Sequence, residues 1–108
     1  TEAEKQARRE QEMKEREQTE IKDLVSKRDR YINSVPKEMW AGWMELLSLK
    51  ASLRKFETAE QEKKYQRTFI NTLLCDYFHT DQTWLNRLED ILSTEVGQSY
   101  QSKNGRSA

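Results

Sequence analysis

The sequence predicts an all-α protein: a long charged N-terminal helix leads into a small up-down-up three-helix bundle, and a disordered C-terminal tail follows. Three observations carry this expectation. Only three Gly and one Pro interrupt 108 residues. Helix formers such as Ala, Leu, Glu, Lys, Gln, Arg and Met dominate without runs of β-branched residues, so a sheet has little to build from. The apolar residues recur three and four apart, the period of one helical face, in place of the alternation of a strand.

The first segment, TEAEKQARREQEMKEREQT, is low in complexity and strongly charged. Opposite charges stand four apart in the favourable order at Glu4–Arg8, Glu10–Lys14, Glu12–Arg16 and Asp23–Lys27. Each such pair supports a solvated helix by ~0.2–0.5 kcal/mol. A sustained coiled coil fails here. With Ile21 and Leu24 as the a and d positions, the upstream seam consists of Ala7, Glu10, Lys14 and Glu17, which is too polar to hold a partner strand. Residues 1–19 therefore read as a solvated charged helix or a disordered segment. From residue 20 the pattern changes: Ile21, Leu24, Val25, Tyr31 and Ile32 share a face and are expected to pack against the domain.

Asn33, Ser34 and Pro36 break that helix and start the next, since proline is tolerated in a first turn. The second helix is expected over about 36–56. It carries two adjacent apolar stripes, Met39, Trp43, Leu46, Leu49 and Leu53, then Trp40, Met44, Leu47 and Ala51. A helix apolar over so wide an arc needs more than one neighbour. Phe56–Thr58 makes a tight connection, with Thr58 and Gln61 spaced as a capping box. The third helix, about 59–78, is charged early and apolar through Tyr65, Phe69, Ile70, Leu73, Leu74, Tyr77 and Phe78. His79, Thr80 and Asp81 form a turn. A last helix carries Trp84, Leu85, Leu88, Ile91, Leu92 and Val96 until Gly97 stops it. Residues 20–97 thus form the helical domain, and 98–108 a disordered tail or linker.

Composition narrows the function. Charged residues make up 35% of the chain and hydrophobic ones 34%, with 19 basic and 19 acidic residues in balance. A domain this small buries only ~60–65% of its unfolded surface. The balanced charge removes the simplest argument for binding nucleic acid or an anionic membrane, which usually needs a basic excess. No stretch reaches the length of a membrane span, and a lone cysteine, Cys75, gives no internal disulfide. An intracellular setting is expected, with cytoplasm and nucleus not distinguished. The start at Thr1 reads as an excerpt of a longer protein.

No catalytic or metal site is expected. Cys75 and His79 stand four apart, but zinc needs three or four good ligands and the chain has no other Cys or His. Nucleophilic catalysis would have to use the same two residues, with no predicted oxyanion site. The glycines at 42, 97 and 105 are too scattered to cradle a phosphate. A helix-turn-helix is opposed by Asp81, Glu89, Asp90 and Glu95, which make the last helix acidic. No cofactor is expected.

Two binding readings survive. The first is a non-enzymatic interaction module that buries a face of Met39, Trp40, Trp43, Met44 and Leu47 against a protein partner or a second copy. In it the Trp43 stripe fills the bundle core, while Trp40, Met44 and Leu47 face the charged helix or a partner. The alternative, weaker on charge, is an accessory nucleic-acid-binding domain. It would use Lys50, Arg54, Lys55, Lys63, Lys64 and Arg67 converging at a hairpin tip, with Tyr65 or Phe56 for stacking. A third possibility is a spacer whose long helix holds domains apart.

Overall fold

The computed structural model describes residues 1–104. Among them it contains five helices and no strand: α1 (Glu2–Asn33), α2 (Lys37–Ser52), α3 (Ala59–Phe78), α4 (Thr83–Leu92) and α5 (Glu95–Asn104). The protein is all-α. It divides into two compact units, one of Thr1–Arg28 with the chain from Thr83 onward, the other of Asp29–Gln82. α4 therefore groups with α1 and α5, not with α2 and α3.

In the first unit the amphipathic half of α1 supplies Ile21, fully buried with Leu88, Ile91 and Leu92 of α4. Leu24, Val25, Val96 and Tyr100 pack against this cluster. Each fully buried aliphatic side chain of this kind contributes ~1.5–3 kcal/mol. At the border of the core the Arg87 guanidinium donates two hydrogen bonds to the Glu20 carboxylate, 2.8 and 3.0 Å. Lys27 Nζ lies 4.3 Å from the centre of the Trp84 ring, a cation–π contact. Upstream, residues 1–16 are exposed. Their side chains bond along the helix, as in Gln6 to Glu10 (3.2 Å) and Gln11 to Glu15 (3.1 Å).

The expected last helix is two helices. The break falls at Ser93–Thr94, where the Thr94 N–H closes a tight turn onto the Ile91 carbonyl at 3.0 Å. The Thr94 hydroxyl then donates to the same carbonyl (2.6 Å) and accepts the Gly97 N–H (3.2 Å), capping α5. Gly97 does not stop a helix. It has no positive φ and sits in the first turn of α5, where a Cβ would strike the Ile91 carbonyl oxygen and the Leu92 backbone. Glycine is needed there for close approach. Gln101 Nε2 closes the corner by donating to the Leu92 carbonyl at 3.0 Å. The expected tail is thus helical through Asn104, because Val96 and Tyr100 anchor it on the core. Residues 105–108 of that tail lie outside the described residues.

In the second unit, α1 ends in a turn where Ser34 and Val35 donate to the Tyr31 and Ile32 carbonyls at 3.0 and 3.1 Å. Pro36 precedes α2, and its carbonyl accepts from Trp40 at 2.9 Å. α2 ends at Ser52, four residues before the expected limit, with Arg54 N–H returning to the Ala51 carbonyl at 3.2 Å. α3 starts where the capping pattern places it: Thr58 Oγ1 accepts the Gln61 N–H (3.1 Å), and Gln61 Oε1 accepts the Glu57 N–H (3.0 Å). α2 and α3 run antiparallel. Trp43 in the first half of α2 meets Tyr77 near the end of α3, 5.8 Å between ring centres, and Arg54, just past the end of α2, meets Tyr65 early in α3 at 4.6 Å. Val35, Leu47, Leu74 and Cys75 are buried, as is the polar Asn71. His79 closes α3 in the left-handed region, φ 54 and ψ 38.

Candidate functional site

α2 carries more apolar side chains than it buries. At about 100° per residue, Trp40, Met44, Leu47 and Ala51 form one stripe. Met39, Gly42, Leu46 and Leu49 form another, centred about 150° away, with Trp43 between them. Leu47 is buried, and Trp40, Met44 and Ala51 are partly buried. Met39, Leu46, Leu49 and Leu53 are exposed at 38%, 41%, 58% and 79%. This reverses the expected orientation: the Trp40 stripe turns inward, and the Trp43 stripe, apart from Trp43 itself, faces solvent. The reason lies in α3. Trp43 sets its ring edge-on to Tyr77, which rotates its neighbours at 44 and 47 towards the buried side and leaves 46, 49 and 53 outside.

Of the five residues expected to dock, Met39 is therefore on the exposed surface, Leu47 is core, and Trp40, Trp43 and Met44 are half-buried. The aromatics form a linked series. Trp40 and Trp43 stand 6.1 Å apart, Trp43 meets Tyr77, Tyr77 meets Phe78 at 4.8 Å, and Phe78 meets Tyr31 at 5.0 Å. Trp43–Tyr77 and Tyr77–Phe78 meet edge to face and the other two pairs are tilted; aromatic pairs of this kind add ~0.5–1.5 kcal/mol each beyond their burial. These rings hold the unit together more than they advertise it. Residues missed as docking candidates are Leu46, Leu49 and Leu53, together with Gly42. A Cβ built on Gly42 has nothing within 4 Å, so no packing inside the chain calls for glycine in mid-helix. There it forfeits ~0.5–1 kcal/mol relative to alanine. The wide apolar arc was the signal that a stripe would be left over.

The six cations do not share one face. Arg54 lies on the Tyr65 ring, whose neighbour Phe56 stands 5.6 Å away. On α3, helix geometry sets Lys63 and Arg67 about 160° round from Tyr65, and Lys64 about 100° round. Lys50, Lys55, Lys63 and Lys64 are exposed and Arg67 is half-buried. Tyr65, expected as a stacking platform, already carries the Arg54 guanidinium.

Burial pushes the Cys75 thiol pKa up, and the nearby charges of Asp76 and Asp81 add to it, so the thiol is held protonated and poorly nucleophilic. Among the described residues no three His, Cys, Asp or Glu side chains gather as a metal site, and no helix is long and apolar enough to cross a membrane. The chain matches no known protein family, no curated protein and no solved structure.

Proposed function

We propose that this protein is a non-enzymatic helical interaction module that docks a helical protein segment on the outward stripe of α2. The observation that carries the reading is the run of exposed Met39, Leu46 and Leu49 along one side of α2, continued by Leu53 just past its end. Leucines left in water at helical spacing suit a helix-in-groove contact, in which a partner's apolar side chains fill the gaps between them. Trp43 and Tyr77 flank the stripe and stiffen it.

A photo-crosslinking amino acid placed at Leu49 tests this in cell extract. It is expected to trap a defined protein, the same chain or another, while the same group at the exposed Ser48, about 100° round α2 from Leu49 and off the stripe, traps none. Equal labelling from both positions, or none from either, removes the reading. Phosphate binding through Lys50, Arg54, Lys55, Lys63, Lys64 and Arg67 has less support, since Arg54 covers Tyr65 and the α3 cations lie on the side of the helix turned away from that ring.

A further inference from the structure

We infer that α5 is a detachable strap: it folds by docking on α1 and α4, and it opens as one unit while the contact between those two helices stays closed. The first reason is that α5 has little helical tendency of its own. It is 10 residues long, below the ~12–15 at which an isolated helix becomes marginal in water. Val96, Gly97, Ser99, Tyr100 and Ser102 are all weak helix formers. Released from its neighbours, this segment is coil.

The second reason is the way α5 is held. Val96 and Tyr100, four apart on one helical face, rest on the cluster of Ile21, Leu88, Ile91 and Leu92. Gly97 lies close against the Ile91 carbonyl and the Leu92 backbone, and Gln101 donates to the Leu92 carbonyl at 3.0 Å. The hold therefore runs from the first turn of α5 through its middle. Such anchors give way together, at the Ser93–Thr94 turn, in place of unwinding from the end. On its other side α5 faces α1 across an open cleft, with Glu15, Thr19 and Lys22 on one bank and Ser99 and Lys103 on the other. That side is not sealed against water.

The third reason is that α1 and α4 hold each other without α5. Ile21 is buried against Leu88, Ile91 and Leu92. Arg87 donates twice to the Glu20 carboxylate, and Lys27 stands over the Trp84 ring. None of these contacts uses a residue of α5. Opening the strap turns to water only the part of the cluster beneath Val96 and Tyr100, an apolar surface that the closed unit hides.

Amide hydrogen exchange of the full chain, followed by NMR in rising sub-denaturing urea, tests this. The amides of Gln98–Ser102 are expected to share one opening, about 100-fold or more as populated as that of Leu88, Ile91 and Leu92. It should depend little on urea, because little surface is exposed. Leu85→Val alters a buried residue outside the cluster beneath α5. It should speed exchange at Leu88 and Ile91 about tenfold and leave Gln98–Ser102 within about twofold. Tyr100→Ala should speed exchange in α5 about tenfold or more, with Leu88 and Ile91 still protected.

Protection that declines step by step from Gln98 to Ser102 would mean end fraying and overturns the single strap. Equal protection in α4 and α5, or a parallel response of both to Leu85→Val, would make α5 an integral wall of the unit. Loss of α4 protection in Tyr100→Ala, up to unfolding of the chain, overturns the strap in the same way.

Discussion

The unit built on Thr1–Arg28, α4 and α5 closes its aliphatic residues around Ile21, Leu88, Ile91 and Leu92, with Met13 of the solvated half of α1 left outside. The Asp29–Gln82 unit leaves Met39, Leu46, Leu49, Leu53 and Tyr77 exposed. The difference follows from the helices each was given. α4 is apolar on one face only and contributes Leu85, Leu88, Ile91 and Leu92 to the buried set, so its surface is spent once it has packed. α2 is apolar over two stripes and buries only Leu47 completely. One helix spends its apolar surface inside its unit, and the other leaves a stripe of it in water.

The largest effect that tests this contrast is in the aliphatic core. Leu88→Ala is expected to cost ~3–4 kcal/mol by leaving a cavity beneath α1, whereas Leu46→Ala on the outward stripe should stay within ~0.5 kcal/mol. Urea unfolding midpoints measure both, and similar losses at the two positions would break the comparison. Next comes the same change at two glycines. Gly97→Ala is expected to destabilise by ~1–3 kcal/mol, because backbone atoms of Ile91 and Leu92 occupy the space its methyl needs. Gly42→Ala should have the opposite sign, a gain of ~0.5–1 kcal/mol. Matching signs would mean that the two glycines do not stand in opposite environments.

A smaller effect sits at the end of α3. His79 adopts the left-handed conformation that favours glycine, so His79→Gly is expected to raise stability by ~0.5–1 kcal/mol, read as a higher Tm. The smallest concerns the exposed Glu20–Arg87 pair. Its bidentate hydrogen bond, more than the ionic attraction, holds the Glu20 carboxyl below the usual glutamate range. A carboxylate lowered on folding stabilises the protein above its unfolded pKa, and that contribution is lost as pH falls through the lowered value. NMR titration of Glu20 should show this depression in the parent chain. Arg87→Gln should return it towards the ordinary glutamate range, with little change in stability because the pair is solvated. A Glu20 titration unmoved by that substitution would mean the pair is absent in solution.

How much of this was legible depended on whether a feature was local. Thr58 and Gln61 announced the start of α3 because a capping box needs only four consecutive residues. The apolar surplus of α2 was equally visible, since helical period alone sets the angle between its stripes. The break at Ser93–Thr94 was concealed by the apolar spacing that continues to Val96, and Gly97 resembled a helix stop. Leu46, Leu49 and Leu53 were counted as core because their stripe was the longer one, and length says nothing about which side α3 occupies.

By itself the sequence determined an all-α protein, the edges of helices with local caps, and a second helix with more apolar surface than a chain of this size can cover. Only the tertiary structure decided which stripe of that helix is inside, that Gly97 serves close approach at the α4–α5 corner, and that α4 joins α1. The physical reason is that periodicity fixes angles within a helix. The side that is buried depends on residues such as Tyr77, 34 positions from Trp43 along the chain and 5.8 Å away in space.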